Sequence, residues 1–264
     1  MTNVDALKNL YAALGGDPAD VANYSTIVEV LNAISAKYGG ADDAIINPEA
    51  INNIAAIASS IAGGTADLGA LISRTITSVE IPAGVTTIGN GAFNGCTSLT
   101  SVVIPESMTS IGGSAFYQCS SLASVVIPEG VTTIGNSAFS NCYALASVEI
   151  PESMTSIEKN AFNGCSSLTS VVIPEGVTTI GNTTFNGCSS LTSVVIPEGV
   201  TAIGNGAFNN CSSLASVVIP STVTDIGHNA FGSVAGTIYC RFAEGAVSGA
   251  PWGATGTIVY DYNG

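Results

Sequence analysis

The chain has 264 residues, of which 19 are acidic and five basic, for a formal net charge of −14 at neutral pH. Charged residues make up only 9 % and apolar residues 46 %, so this is not the high-charge, low-hydrophobicity composition of a disordered acidic tail. Affinity for phosphate backbones comes from clustered Lys and Arg, and five scattered cations argue against nucleic acid and polyanionic membranes as partners.

The amino terminus, Met1 to Lys8, has no basic n-region and no apolar h-region, so no secretion signal is read there. The stretch 50–66 is broken by Asn, Ser and Gly63-Gly64; a spanning helix needs about 20 apolar residues, and no membrane insertion is expected. Val4, Leu7, Tyr11 and Leu14, then Ile27, Leu31, Ile34 and Tyr38, step by three and four and stop at glycine pairs. These are helix patterns with helix stops. Asn47-Pro48 suits the start of a third helix. Ile51, Ile54, Ala58, Ile61, Leu68 and Ile72 then follow a heptad register. Residues 1–75 therefore read as an all-α segment, either a cap or an oligomerisation or docking module, a trimer being favoured. The segment from Val4 through Ile34 is similar to N-terminal modules of fibre-like phage and prophage structural proteins. That resemblance implies a virion or the cytoplasm of the producing bacterium, with release by lysis.

From Ile76 a 23-residue period takes over. Prolines recur at 82, 105, 128, 151, 174, 197 and 220, phenylalanines from Phe93 to Phe231, and cysteines from Cys96 to Cys211. A fixed period of this length is the signature of a solenoid, here of seven copies over 76–236. Within the fifth copy, Val171 and Ile173 alternate with Ser170 and Val172 as a strand does, until Pro174 ends it. Val177 and Ile180 make a second extended stretch. Phe185, Cys188 and Leu191 are spaced by three, which predicts a short helical or 3₁₀ turn. Stacked coils share one core that no single coil could bury.

These residues resemble the BspA-type (Treponema-type) leucine-rich repeat, in the pattern Leu-x-x-Val-x-Ile-Pro-x-x-Val-Thr-x-Ile-Gly-x-x-Ala-Phe-x-x-Cys. The resemblance implies an α/β leucine-rich-repeat solenoid with a parallel sheet on one face. It further implies a non-enzymatic cell-surface adhesin or binding scaffold, needing no cofactor.

Three files of residues invite a functional reading. The cysteines share a face with Phe and Leu and read as buried thiols. Glu106, Glu129, Glu152, Glu175 and Glu198 follow the prolines, as a solvated acidic edge or as oxygen ligands for Ca²⁺. The outward strand position reads Glu80, Val103, Val126, Glu149, Val172, Val195 and Val218. Flanked by serines, it predicts a mildly apolar strip on the concave face, the usual binding side of solenoids, or one set by β-propensity alone. No aromatic or basic residue is expected on that strip. The fourth copy departs most, with Glu149, Glu158, Lys159 and Asn160, and with Tyr117 and Tyr143 it forms the candidate recognition spot.

Residues 237–264 leave the period and hold Trp252; Thr237-Ile238-Tyr239 and Thr257-Ile258-Val259 alternate like two strands of a C-terminal β cap, the alternative being a binding role for Trp252 and the tyrosines. The lone His228 falls in an exposed turn slot, and no catalytic or metal-ligand spacing appears. The sequence thus predicts a non-enzymatic binding or adhesion protein. Its partners are a protein or a cell-surface glycan, with a homo-oligomer through residues 1–75. Alternatives are a structural spacer without a ligand and an adhesin exported without a recognisable signal.

Overall fold

The computed structural model describes residues 76–81 and 84–264. The helical reading of residues 1–75, with its heptad positions, lies outside the described residues. The described residues wind through sixteen short strands, and strand pairs join residues one coil apart in parallel. Most coils carry two strands. The first row holds β1 (Ser78–Glu80), β3 (Ser101–Val103), β5 (Ser124–Val126), β7 (Ser147–Glu149), β9 (Ser170–Val172), β11 (Ser193–Val195) and β13 (Ser216–Ile219). It closes with β15 (Thr237–Cys240) and β16 (Ile258–Val259). The second row is a seven-stranded sheet of β2 (Thr87–Ile88), β4 (Ser110–Ile111), β6 (Thr133–Ile134), β8 (Ser156–Ile157), β10 (Thr179–Ile180), β12 (Ala202–Ile203) and β14 (Asp225–Ile226). The expected single parallel sheet is therefore two rows on two sides of the coil. The longer unbroken sheet comes from the Val-Thr-Thr-Ile stretch.

The corner between the rows is made by proline. Pro174 has no N–H for the ladder, and its carbonyl accepts from Val177 N at 3.0 Å, closing a tight turn. The remaining side corrects the helical expectation: no helix occurs among the described residues. Cys188 N donates to Phe185 O and Leu191 N to Cys188 O, so the spacing of three does produce three-residue turns. Between them, however, Phe185 N and Gly187 N donate to Ala207 O and Asn209 O of the next coil. Amides committed across coils cannot build an i to i−4 ladder. Each turn also needs left-handed residues, Thr183 at φ 54° and Gly187 at φ 75° in the fifth coil. That requirement explains why Gly, Asn and Ser dominate both files.

The core is a set of vertical files. Leu122, Val125, Ile127, Val131, Ile134, Ala138, Phe139 and Cys142 are all buried, and the same slots are buried in the coils that follow except at Val148 and Ile150, which are partly buried. Phe93 to Phe231 form one column of seven rings, with centroids 5.1–5.6 Å apart and planes within 11° of parallel. Trp252 lies beyond the last of them, 2 % exposed, and its Nε1 donates to Ser248 O at 2.8 Å. Its carbonyl oxygen accepts from Phe231 N, which joins Trp252 to the last repeat, and its indole meets the Phe242 ring edge-on at 6.4 Å.

Candidate functional site

The outward position of the first row is the most unusual surface of the molecule. Along β3, β5, β9 and β11 the burial alternates exposed, buried, exposed. Val103, Val126, Val172 and Val195 consequently stand 57–60 % exposed. Glu80 and Glu149 take the same position on β1 and β7, also exposed. Val218 does not match: it is only partly exposed, because Tyr239 of β15 pairs beside it. Tyr239 extends the valine file, and its ring lies 4.5 Å from that of Tyr262 at 40°. The expectation of a strip free of aromatic and basic residues is thereby corrected. Its C-terminal end carries two tyrosines and, beyond β15, Arg241.

Arg241 Nη1 meets Glu198 Oε1 at 2.8 Å. It reaches over the intervening coil because that coil carries Ser221 where the five before it carry Glu. Both side chains are about half exposed, 42 % and 50 %, so the pair contributes about 0–1 kcal/mol to stability. Glu106, Glu129, Glu152 and Glu175 are exposed along the same edge. Among the described residues no group of three or more His, Cys, Asp and Glu side chains is arranged to hold a metal ion.

The candidate spot of the fourth copy is not gathered in one place. Lys159 is exposed just past β8, at the corner between the second row and the turns. Beside it, Glu158 lines an open groove of about 550 Å³ with Asn90, Gly113, Gly135 and Asn136, and its Oε1 accepts from Ser156 Oγ at 2.9 Å. Tyr117 and Tyr143 sit on the turn side, Tyr143 half exposed and Tyr117 partly covered. The valine strip lies on the first row, whereas Lys159 and the two tyrosines stand on the turn segment that follows the second row. His228 is exposed, and its N–H donates to Asn205 Oδ1 as one member of a turn file.

The cysteines are all free and buried. From Cys119 to Cys211 each Sγ–H donates to a phenylalanine carbonyl of the preceding coil, at 3.1–3.3 Å. Burial pushes Cys142 and Cys211 up to about 12 and Cys240 up to about 11. Burial also holds Cys165 and Cys188 well above the ordinary value. In the first pair, a shared hydrogen bond raises Cys119 and draws Cys96 down. High-lying, inaccessible thiols are poor nucleophiles, and this file serves packing.

With two parallel rows, a proline corner and a phenylalanine column in place, the class is that of leucine-rich-repeat solenoids. The family model described as BspA type leucine rich repeat region matches six copies over residues 70–166 and 109–237. This exceeds half of the chain, which belongs to that family. A leucine-rich-repeat protein of T. pallidum is 35 % identical with a TM-score of 0.57, over 60 % of this chain and 76 % of its own. A leucine-rich cell surface protein of Faecalibacterium prausnitzii is 36 % identical with a TM-score of 0.59, covering 71 % of this chain and 48 % of its own. A leucine-rich-repeat protein of Bacteroides ovatus is 26 % identical with a TM-score of 0.59, covering 71 % and 52 %. The chain spans about half the length of these last two proteins. No curated protein matches the sequence. Among the described residues, no helix is long and apolar enough to cross a membrane.

Proposed function

We propose that this chain is a non-enzymatic recognition protein whose solenoid binds a protein or a cell surface through the valine strip. The observation that carries this reading is the exposure of Val103, Val126, Val172 and Val195, at 57–60 %, beside Val102, Val125, Val171 and Val194, which the same strands bury. Exposed apolar surface of this kind, here two valine pairs on either side of Glu149, marks interaction sites. Membership of a repeat family and likeness to a protein described as a leucine-rich cell surface protein support the reading. The titratable side chains of the described residues are spread over separate sides of the coil, whereas catalysis needs them to converge.

The test replaces Val126, Val172 and Val195 together by Asp in the full chain and measures binding to a panel of bacterial and animal cells. Charged side chains should reduce binding at least tenfold while the far-ultraviolet spectrum stays unchanged. Undiminished binding by the folded variant overturns the reading.

A second reading is favoured by the near-identity of the coils: a rigid spacer, such as a virion fibre, without a ligand on the repeats. It takes the heptad of residues 51–72 as a trimerisation seam. Light scattering of the intact chain should give a trimer, reduced to a monomer by Ile54→Asp with Ile61→Asp. A monomeric parent removes this reading.

A further inference from the structure

We propose that the C-terminal end of the valine strip is a subsite for a neutral pyranose sugar, formed by Tyr239, Tyr262, Arg241 and Glu198. The inference deepens the recognition reading above and rests on it. Tyr239 pairs in register with Val218 on one side and Val259 on the other, and the alternation of β15 turns its ring outward. Tyr262 is tethered beside it by its N–H, which donates to Cys240 O at 3.0 Å, and the two partly exposed rings meet at 4.5 Å. Arg241, two residues beyond Tyr239 and just past the end of β15, continues the pairing through its N–H to Ile219 O at 3.0 Å, meets Glu198 at 2.8 Å and donates through Nη2 to Gly264 O at 3.5 Å.

The chemistry of this arrangement is half apolar and half polar. A pyranose has one face of C–H groups, which packs on an aromatic ring, and a rim of hydroxyls, which both donate and accept. A guanidinium offers several fixed donors and a carboxylate offers acceptors, and their solvent-exposed sides remain free for such a rim. The Arg–Glu pair is neutral as a unit, while the chain as a whole carries −14. That field repels uronates and sialylated chains, so the site selects uncharged sugars.

The experiment titrates the full chain with maltohexaose, cellohexaose, chitohexaose and hexagalacturonate, following tyrosine fluorescence and saturation-transfer NMR. At least one neutral hexasaccharide should bind, and hexagalacturonate should not. Loss of a ring face corresponds to about tenfold in affinity, so Tyr239→Ala should weaken binding by about that factor. Tyr239→Phe should retain it, and Arg241→Ala, at an exposed position, should weaken it without disturbing the fold. Failure of all three neutral sugars, preference for the uronate, or unchanged affinity in both Tyr239→Ala and Arg241→Ala overturns the proposal. The triple valine variant separates the two readings. Cell binding that needs the valines while no sugar binds removes this subsite alone. Sugar and cell binding that both survive the valine changes remove the strip and leave the subsite.

Discussion

Cys165 Sγ lies 3.2 Å from the carbonyl oxygen of Phe139, one coil earlier, and donates its proton there. The same relationship recurs from Cys119 to Cys211, so thiol and phenylalanine files are cross-linked by weak hydrogen bonds up the whole array. Burial adds to this by making the thiolate costly.

The thiol file therefore predicts an alkaline limit to stability. Cys142 and Cys211 titrate near 12 in the folded chain against an ordinary thiol value of 9.0. Below about 9 both states hold the proton, and these groups contribute their full stability. Between 9.0 and about 12 the unfolded chain releases protons that the folded chain retains, so stability falls as pH rises. The slope is about 1.4 kcal/mol per pH unit for each such thiol. Urea midpoints should be level with respect to these groups up to pH 8 and drop steeply above pH 9. A Cys142→Ala, Cys211→Ala variant should show a shallower drop, and a parent whose midpoint is unchanged at pH 10.5 contradicts the assignment.

The phenylalanine column predicts a position-dependent loss. Phe162 is fully buried, with rings at 5.4 and 5.6 Å on its two sides. Phe162→Ala should cost about 3–5 kcal/mol, the range for large aromatic deletions in a core. Phe93 is only partly buried and has one described ring neighbour, Phe116 at 5.1 Å. Phe93→Ala should therefore cost clearly less. Equal losses in urea titrations of the two variants count against the column as the stabilising element.

An amide ladder predicts a coupling that side-chain type alone does not reveal. Asn186 Nδ2 donates to Asn163 Oδ1, and Asn209 Nδ2 donates to Asn186 Oδ1, each at 3.0 Å. Asn186→Ala removes both bonds and should cost about 1–3 kcal/mol. A double-mutant cycle between positions 163 and 186 should give a coupling of about 0.5–1.5 kcal/mol; strict additivity excludes the ladder.

The coil was legible because its period repeats seven times, so every core file could be read down the sequence. Val171, Pro174, Ile180 and Phe185 announce strand, corner, strand and turn by residue type alone. The inter-coil bonds were not legible. Nothing in Phe-Asn-Gly-Cys says that Gly187 N serves the next coil rather than a helix. Tyr239 reads from the sequence as part of the cap rather than of the valine file for a simpler reason. β13 pairs Ser216 with Thr237, a step two residues short of the repeat, so counting by the period lands on Arg241 and passes over the tyrosine. Matching Ser216-Val217-Val218-Ile219 to Thr237-Ile238-Tyr239-Cys240 by alternation would have found it. The separation of Tyr117, Tyr143 and Lys159 from the valine row was hidden because a shared copy, or neighbouring copies, does not imply a shared face.

The adjacent valines of β11 separate a folding role for the strip from a recognition role. Val194 points inward and is 7 % exposed, while Val195 points outward and is 57 % exposed. Threonine has the shape of valine and suits strands equally, so the substitution mainly reports whether the position is dry. Val194→Thr places a hydroxyl in the core and should cost about 1–3 kcal/mol. Val195→Thr should stay within about 0.5 kcal/mol of the parent, as surface changes do. Chemical denaturation of the two variants under one set of conditions decides the matter. If Val195→Thr is as costly as Val194→Thr, the outward valines stabilise the fold and their exposure is no argument for binding. If it is neutral, folding does not require an apolar side chain there, and the exposure of Val103, Val126, Val172 and Val195 stands as the argument for recognition.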